Sequence, residues 1–134
     1  MKEIIAIIEK ADDGGYSIYS NGIKGVYGYG LSMQEAKDDF KEVYEEQAEY
    51  YKGKHGEFPK WYFENPKIEY RYDFSAFFEA FPFINVTQFA HEVGINPSLM
   101  RKYKIRLAFA SDKQKQAIQS KFNELVDRMN VVRF

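Results

Sequence analysis

A run of hydrogen-bonding and cationic residues between positions 96 and 106 has the chemistry needed to read a DNA duplex. Arg101 can donate two hydrogen bonds to a guanine edge, and Asn96 or Ser98 can reach a base or a phosphate. The neighbouring cations are suited to neutralising phosphates. We therefore predict a DNA-binding surface made of Asn96, Ser98, Leu99, Arg101, Lys102, Lys104 and Arg106.

The same stretch has the spacing of a helix-turn-helix. Ala90 is small where two helices would cross closely, and Gly94 tolerates the positive φ that the turn needs. Asn85 and Asn96 are suitable N-caps for the two helices, and Pro97 fits the first turn of the second. The positions that would face inward are apolar: Phe89, Val93, Ile95, Met100 and Tyr103. The alternative is an ordinary helical hairpin, but a hairpin does not account for the charge around it.

Charge is distributed unevenly along this chain of 134 residues. Residues 1–72 hold 10 Lys and Arg against 14 Asp and Glu, a net charge of −4, whereas residues 73–134 hold 9 against 6, a net charge of +3. Between positions 96 and 121 the basic residues concentrate, and Asp112 is the only acidic one. A basic run around a recognition helix is the electrostatic footprint of a duplex-binding protein.

Candidate catalytic and metal-binding residues are sparse. The sequence has no cysteine, which excludes disulfides, thiolate metal sites and a catalytic thiol. A metal site of the ribonuclease H kind needs acids converging from strand ends, but the predicted strands offer mainly Glu3, Glu9 and Glu69. Residues 28–32 lack the third glycine of a dinucleotide fingerprint and the Gly-Lys of a P-loop. We therefore predict no catalytic residue, no metal site and no cofactor.

The first 72 residues predict a small α+β domain with one helix laid across a sheet. Residues 11–15 combine Asp and Gly in a hairpin turn, and Ser32 with Glu35 forms a capping box. The predicted order is strand, strand, strand, helix, strand: Glu3–Lys10, Tyr16–Ser20, a short bent edge strand within residues 26–31, a helix from residue 33 to about 52, and Lys67–Tyr72. Residues 53–66 are rich in aromatics; we expect most of the chain's clustered aromatics to be core, and an exposed one in this segment to mark an interface.

After Tyr72 the apolar periodicity is helical throughout. A short aromatic helix precedes the helix-turn-helix, and Ser111 with Gln114 predicts the start of a last helix. That helix repeats apolar residues on one face: Ala117, Ile118, Phe122, Leu125, Val126 and Met129. The apolar tail, residues 131–134, is expected to pack against the first domain or a second subunit. The predicted domains are residues 1–72 and an all-α bundle of four or five helices over residues 73–134.

Together the two halves resemble the HicB antitoxins, which partner HicA-type mRNA interferase toxins. In the first half the resemblance rests on Asp-Asp-Gly-Gly-Tyr at 12–16, Tyr-Gly at 29–30 and Ser-Met-Gln-Glu-Ala at 32–36. In the second half it rests on Ala-x-x-x-Gly-Ile-Asn at 90–96 and Met-Arg-x-Tyr at 100–103. The Pro-Gly-Cys often found before the helix is replaced by residues 24–27, and residues 53–66 look like an insertion. The combination and order of these motifs are the specific part.

This resemblance implies a sheet like a truncated ribonuclease H, a first domain that covers a toxin, and a second domain that represses its own operon. An acidic first domain suits a small basic toxin. We expect toxin contacts on the second strand and on the exposed face of the helix at Glu35, Asp38, Asp39 and Glu42. Two alternatives stay open: a solitary transcription regulator whose first domain only oligomerises or senses a ligand, and a catalytic domain of ribonuclease H ancestry. A small basic reading frame beside the gene would favour the antitoxin.

One short recognition helix reads few base pairs, so we expect a homodimer or a higher even oligomer on an inverted repeat. The apolar run at residues 4–8 is too short for a signal peptide or a membrane span. The sequence therefore predicts a cytoplasmic, non-enzymatic protein. Its expected partners are double-stranded operator DNA and a HicA-like toxin, with no membrane.

Overall fold

A computed structural model describes residues 3–134 of the chain. In that range a four-stranded mixed sheet is combined with five helices, which confirms the predicted α+β class. The elements are, in order, β1 (Glu3–Lys10), β2 (Tyr16–Ser20), β3 (Ile23–Gly30), α1 (Met33–His55), β4 (Lys67–Tyr72), α2 (Phe74–Ala80), α3 (Val86–Glu92), α4 (Pro97–Lys104) and α5 (Asp112–Asn130).

Two compact units make up the chain. The first ends at Phe77 and the second runs from Phe78 to Phe134, so the division lies within α2 and after the predicted boundary at Tyr72. Hydrogen bonds explain why the start of α2 belongs to the first unit. The Asp73 amide donates to the Ile8 carbonyl at 2.9 Å, and the Ser75 hydroxyl accepts from the Lys10 amide at 3.0 Å.

The sheet has the strand order β3-β2-β1-β4. The pairs β1–β2 and β2–β3 are antiparallel, whereas β4 runs parallel to β1. Because β4 runs parallel to β1, the chain must cross over before it enters β4. It does so through α1 and the segment that follows this helix. On one face of the sheet Ile4, Ala6, Ile8, Ile18 and Val26 are buried. The buried residues of α1 recur at helical spacing against the sheet: Ala36, Phe40, Tyr44 and Ala48.

Strand β3 lies at the edge of the sheet, as predicted, but it is eight residues long rather than a short strand within residues 26–31. Its glycines explain how it continues under α1. A Cβ atom on Gly28 would lie 2.6 Å from the Phe40 backbone nitrogen, and one on Gly30 would lie 2.5 Å from the Ala36 nitrogen. The helix backbone therefore packs directly on β3. Helix α1 also ends later than predicted, at His55, where Gly56 supplies a φ of +81°.

The aromatic segment before β4 packs on α1 around one hydroxyl group. The Tyr44 hydroxyl accepts a hydrogen bond from the Phe63 amide at 2.8 Å and donates to the Trp61 carbonyl at 3.2 Å. The rings of Trp61 and Tyr62 lie 5.3 and 5.4 Å from the Tyr44 ring. Because Phe58, Trp61, Tyr62 and Phe63 are all half-buried, the segment forms a layer on the helix rather than an exposed aromatic surface.

The second unit has a small aromatic core. Phe78 meets Phe89 edge-to-face at 5.6 Å, and Phe89 lies 6.3 Å from Phe122 of α5. Of the apolar stripe predicted on α5, only Ile118 is buried; Phe122 and Leu125 are half-buried, and Ala117, Val126 and Met129 are exposed. The tail is exposed as well: Val131 by 74%, Val132 by 50% and Phe134 fully. The α5 stripe is thus wider than the surface this unit buries.

In residues 3–134 no helix has both the length and the apolar content needed to cross a membrane.

Candidate nucleic-acid interface

Helix α3 begins and ends where the sequence predicts a helix-turn-helix. The Asn85 side chain accepts a hydrogen bond from the Gln88 amide at 3.0 Å, which caps the start. At the other end Gly94 has a φ of +73°. The Ile95 amide donates to the Ala90 carbonyl at 2.9 Å, and the Gly94 amide donates to the His91 carbonyl at 3.3 Å. This pair of bonds is a Schellman motif, and it sets the direction in which the chain leaves α3.

Helix α4 is capped in the same way at both ends. The Asn96 side chain accepts from the Ser98 and Leu99 amides at 2.8 and 3.4 Å, and a proline occupies the first turn. At the C-terminus the Leu107 amide donates to the Lys102 carbonyl at 2.9 Å. Here the left-handed position is occupied by Arg106, with a φ of +64°. A residue with a Cβ is strained in the left-handed region, and nothing in the sequence indicates that Arg106 adopts this conformation.

The inward faces of α3 and α4 are buried as predicted. Among the inward residues, Met100 is completely inaccessible and the largest exposed fraction is the 9% of Ile95. Ala90, at the crossing point, is also completely inaccessible. The set comprises Phe89, Ala90, Val93, Ile95, Met100 and Tyr103. Burial on this side leaves the opposite side of α4 to the solvent.

The predicted DNA-binding residues lie on that solvent side. Ser98, Arg101, Lys102, Lys104 and Arg106 are exposed, and Leu99 is half-buried. The Arg101 guanidinium donates one hydrogen bond to the Thr87 hydroxyl of α3 at 3.1 Å, so most of its five N–H donors are not used by that bond. Asn96 is exposed, but its carbonyl oxygen caps α4. Only its NH₂ group is therefore left to contact a nucleic acid.

Charge in the second unit favours an anionic ligand. Residues 78–134 hold 9 Lys and Arg against 5 Asp and Glu. Arg128 forms an ion pair with Glu92 at 2.6 Å, and Lys121 forms a longer one with Glu124 at 3.8 Å. Glu92 and Glu124 thus pair with cations of α5. The cations of α4 and of the residues after it are exposed to solvent. This distribution suits phosphate groups approaching α4.

In the first unit, the acids predicted to contact a toxin have different surroundings. The Asp39 carboxylate accepts from the Tyr29 amide at 2.8 Å, and the Glu35 carboxylate accepts from the Leu31 amide at 3.3 Å. These two side chains therefore cap backbone donors on the outer side of β3. Asp38 accepts from the Gln34 amide group at 2.8 Å, and Glu42 is exposed on the same helix.

Three other acids of the first unit have hydrogen-bond or ion-pair partners. Glu69 pairs with Arg71 at 2.6 Å, and Asp13 accepts a hydrogen bond from the Tyr29 hydroxyl at 2.7 Å, which raises the pKa of Tyr29. On α1, the hydrogen bond from Tyr62 to the Glu45 carboxylate raises the pKa of Tyr62 to about 12. Across residues 3–134, no three His, Cys, Asp or Glu side chains come together as a group able to hold a metal.

Comparison with protein-family models, with curated proteins and with solved structures gives no match for this chain. Chemically, the α3–α4 pair presents hydrogen-bond donors and cations on a rigid, doubly capped helix. Such groups can hold the base edges and phosphates of a duplex.

Proposed function

We propose that this chain is a HicB-like antitoxin: a transcriptional repressor that binds operator DNA through its second unit and neutralises a small basic mRNA-cleaving toxin with its first. The observation that carries the proposal is the geometry of α3 and α4. A left-handed glycine joins them, their inward residues are buried, and the cations of α4 face solvent.

The dimensions of α4 suit the major groove of B-DNA. Its eight residues give a length of about 12 Å, and the groove is about 12 Å wide. Ser98, Arg101 and Lys102 are three and four positions apart, which places them on one side of the helix. Ser98 and Arg101 are assigned to base edges, and Lys102, Lys104 and Arg106 are assigned to phosphates.

The first unit supports the toxin-binding half of the proposal through its charge and its architecture. Residues 1–77 hold 10 Lys and Arg against 15 Asp and Glu. The order of three antiparallel strands, a helix and a fourth strand parallel to β1 supports the comparison with HicB, whose resemblance implies a truncated ribonuclease H sheet. An acidic surface speeds the encounter with a protein that grips RNA phosphates, and covering the toxin's active site is sufficient for neutralisation.

A twofold dimer is part of the proposed function. We infer that the contact is made by five exposed apolar side chains in the last nine residues: Val126, Met129, Val131, Val132 and Phe134. The same patch on two copies gives a self-complementary interface.

Light scattering is expected to show a dimer for the native chain and a monomer for Met129→Glu. Ala117→Glu, at an exposed position of the same helix, should remain a dimer. A native chain that is monomeric both free and on DNA would contradict the dimer.

Duplex binding can be tested with fluorescence anisotropy on DNA taken from upstream of the gene. Arg101→Ala/Lys102→Ala should weaken binding by at least about fivefold, because losing a bidentate base contact costs about 1–3 kcal/mol. The matched control is Lys52→Ala/Lys54→Ala on α1, which removes the same charge from the first unit and should bind like the native chain. If the double variant of α4 is folded and binds unchanged, the assignment of α4 is wrong.

A further inference from the structure

The sheet of the first unit has an apolar centre on the face opposite α1. Side chains alternate along a strand, so the neighbours of the buried residues Ala6, Ile8 and Ile18 point away from the helix. Strand register places Ile7 opposite Tyr19, and Tyr19 opposite Tyr27. We name the open sheet face by its five central residues: Ile5, Ile7, Tyr19, Tyr27 and Tyr29.

This face presents exposed aromatic surface on a rigid support. Tyr27 is 65% exposed, Ile5 42% and Tyr29 41%, whereas Ile7 and Tyr19 are half-buried. The Tyr29 ring is held in place, because its hydroxyl donates to Asp13 at 2.7 Å. Tyrosine is enriched at the centres of protein interfaces, and contiguous exposed apolar surface marks interaction sites. Because these side chains are already fixed on a sheet, binding a partner costs them little conformational freedom.

Charges around the open sheet face indicate which occupant suits it. Glu3, Ile5, Ile7 and Glu9 follow one another at intervals of two along β1, so the two acids lie on the open face, and Asp13 approaches it through Tyr29. With Glu69 of β4 this makes four carboxylates against three cations, Lys24, Lys67 and Arg71, in a unit whose residues 1–77 hold 10 Lys and Arg against 15 Asp and Glu. A second copy of this face would bring like charges together, and a nucleic acid would be repelled. A protein with a basic surface is complementary.

Docking on the face is distinct from adding a strand at the edge of the sheet. The backbone amides of Tyr29 and Leu31 point outward from β3, and they donate to the carboxylates of Asp39 and Glu35 at 2.8 and 3.3 Å. An added strand would have to displace both carboxylates from these donors. The same bonds hold the two acids against their own domain, so the open sheet face is the better surface for a partner.

We propose that the open sheet face, centred on Tyr27, is the docking surface for a small basic protein. This inference rests on the function proposed above, in which that protein is the toxin. It assigns the contact to the sheet face opposite α1 rather than to the acidic face of α1.

The test begins by inspecting the genes beside this one, because the proposed function requires a small basic reading frame there. Its product is purified in a catalytically inactive form, and its affinity is measured by calorimetry. Tyr27→Ser should weaken its binding by about 30-fold or more, because truncating an interface hot spot costs at least about 2 kcal/mol. The control is Tyr50→Ser, because Tyr50 is 60% exposed on α1. That control should stay within about twofold of the native chain. Native Trp61 fluorescence confirms that each variant is folded.

Two results would overturn the inference in distinguishable ways. If Tyr27→Ser binds like the native chain while Asp38→Ala/Glu42→Ala loses affinity, the toxin docks on α1 and the proposed function stands. If the native chain does not bind the basic protein at all, the toxin-neutralising half of the proposed function falls, and the docking surface falls with it.

Discussion

Replacing Gly28 with alanine tests how closely α1 packs on the sheet. The added Cβ would lie 2.6 Å from both the Cβ and the nitrogen of Phe40, and 2.7 Å from the Ala36 carbonyl oxygen. Two of these three atoms are helix backbone, so the helix itself must move away from β3. Overpacking of this kind costs about 1–3 kcal/mol. With a urea dependence of about 1 kcal/mol/M, the unfolding midpoint of the first unit should fall by about 1–3 M.

The chain offers both a specific probe and a matched control for this measurement. Trp61 is the only tryptophan, and its ring lies 5.3 Å from Tyr44 of α1, so its fluorescence reports on the first unit. Gly22→Ala makes the same chemical change where no atom lies within 4 Å, and it should change stability by less than about 0.5 kcal/mol. Equal urea midpoints for Gly28→Ala and the native chain would refute the close packing of α1 on β3.

Further predictions concern the turns of the second unit and one tyrosine of the first. Gly94→Ala should destabilise the second unit by about 1 kcal/mol through its φ of +73° alone, since no atom lies within 4 Å of the added Cβ; thermal unfolding followed by circular dichroism measures this. Arg106→Gly should relieve the strain at φ +64° yet weaken duplex binding; unchanged affinity would argue against a phosphate contact. Subtracting the alkaline absorbance titration of Tyr62→Phe from that of the native chain should reveal an ionisation near pH 12, which Glu45→Gln should lower. Because this pKa is raised from 10.0, the bond's contribution to stability is present below pH 10 and is lost towards pH 12; a midpoint near 10 would contradict the bond.

Four of the five helix starts in residues 3–134 were predictable because capping is a local interaction. In each case a side chain accepts a hydrogen bond from an amide two or three residues later, as Asn96 does from Ser98. The four predicted caps, Ser32, Asn85, Asn96 and Ser111, are all confirmed. The buried side of the helix-turn-helix was predictable for a similar reason, since apolar spacing follows helical geometry.

Features that depend on distant residues were not predictable. The carboxylate of Asp39 meets the Tyr29 amide only because α1 folds back on β3, so the sequence shows an acid without showing its donor. The length of β3 depends on the same close approach, which Gly28 permits. On α5 the spacing predicts an apolar stripe but does not say how much of it one chain covers, and Met129 is 60% exposed.

The most direct test of the central claim is to map the DNA contacts by nuclear magnetic resonance. A ¹⁵N-labelled chain is titrated with an upstream duplex, and amide and arginine side-chain shifts are followed residue by residue. The account predicts that the largest changes lie between Asn96 and Arg106, with the Arg101 Nε among them, and that α1 changes little. Changes concentrated on the first unit, or none between Asn96 and Arg106 when binding is saturated, would contradict it.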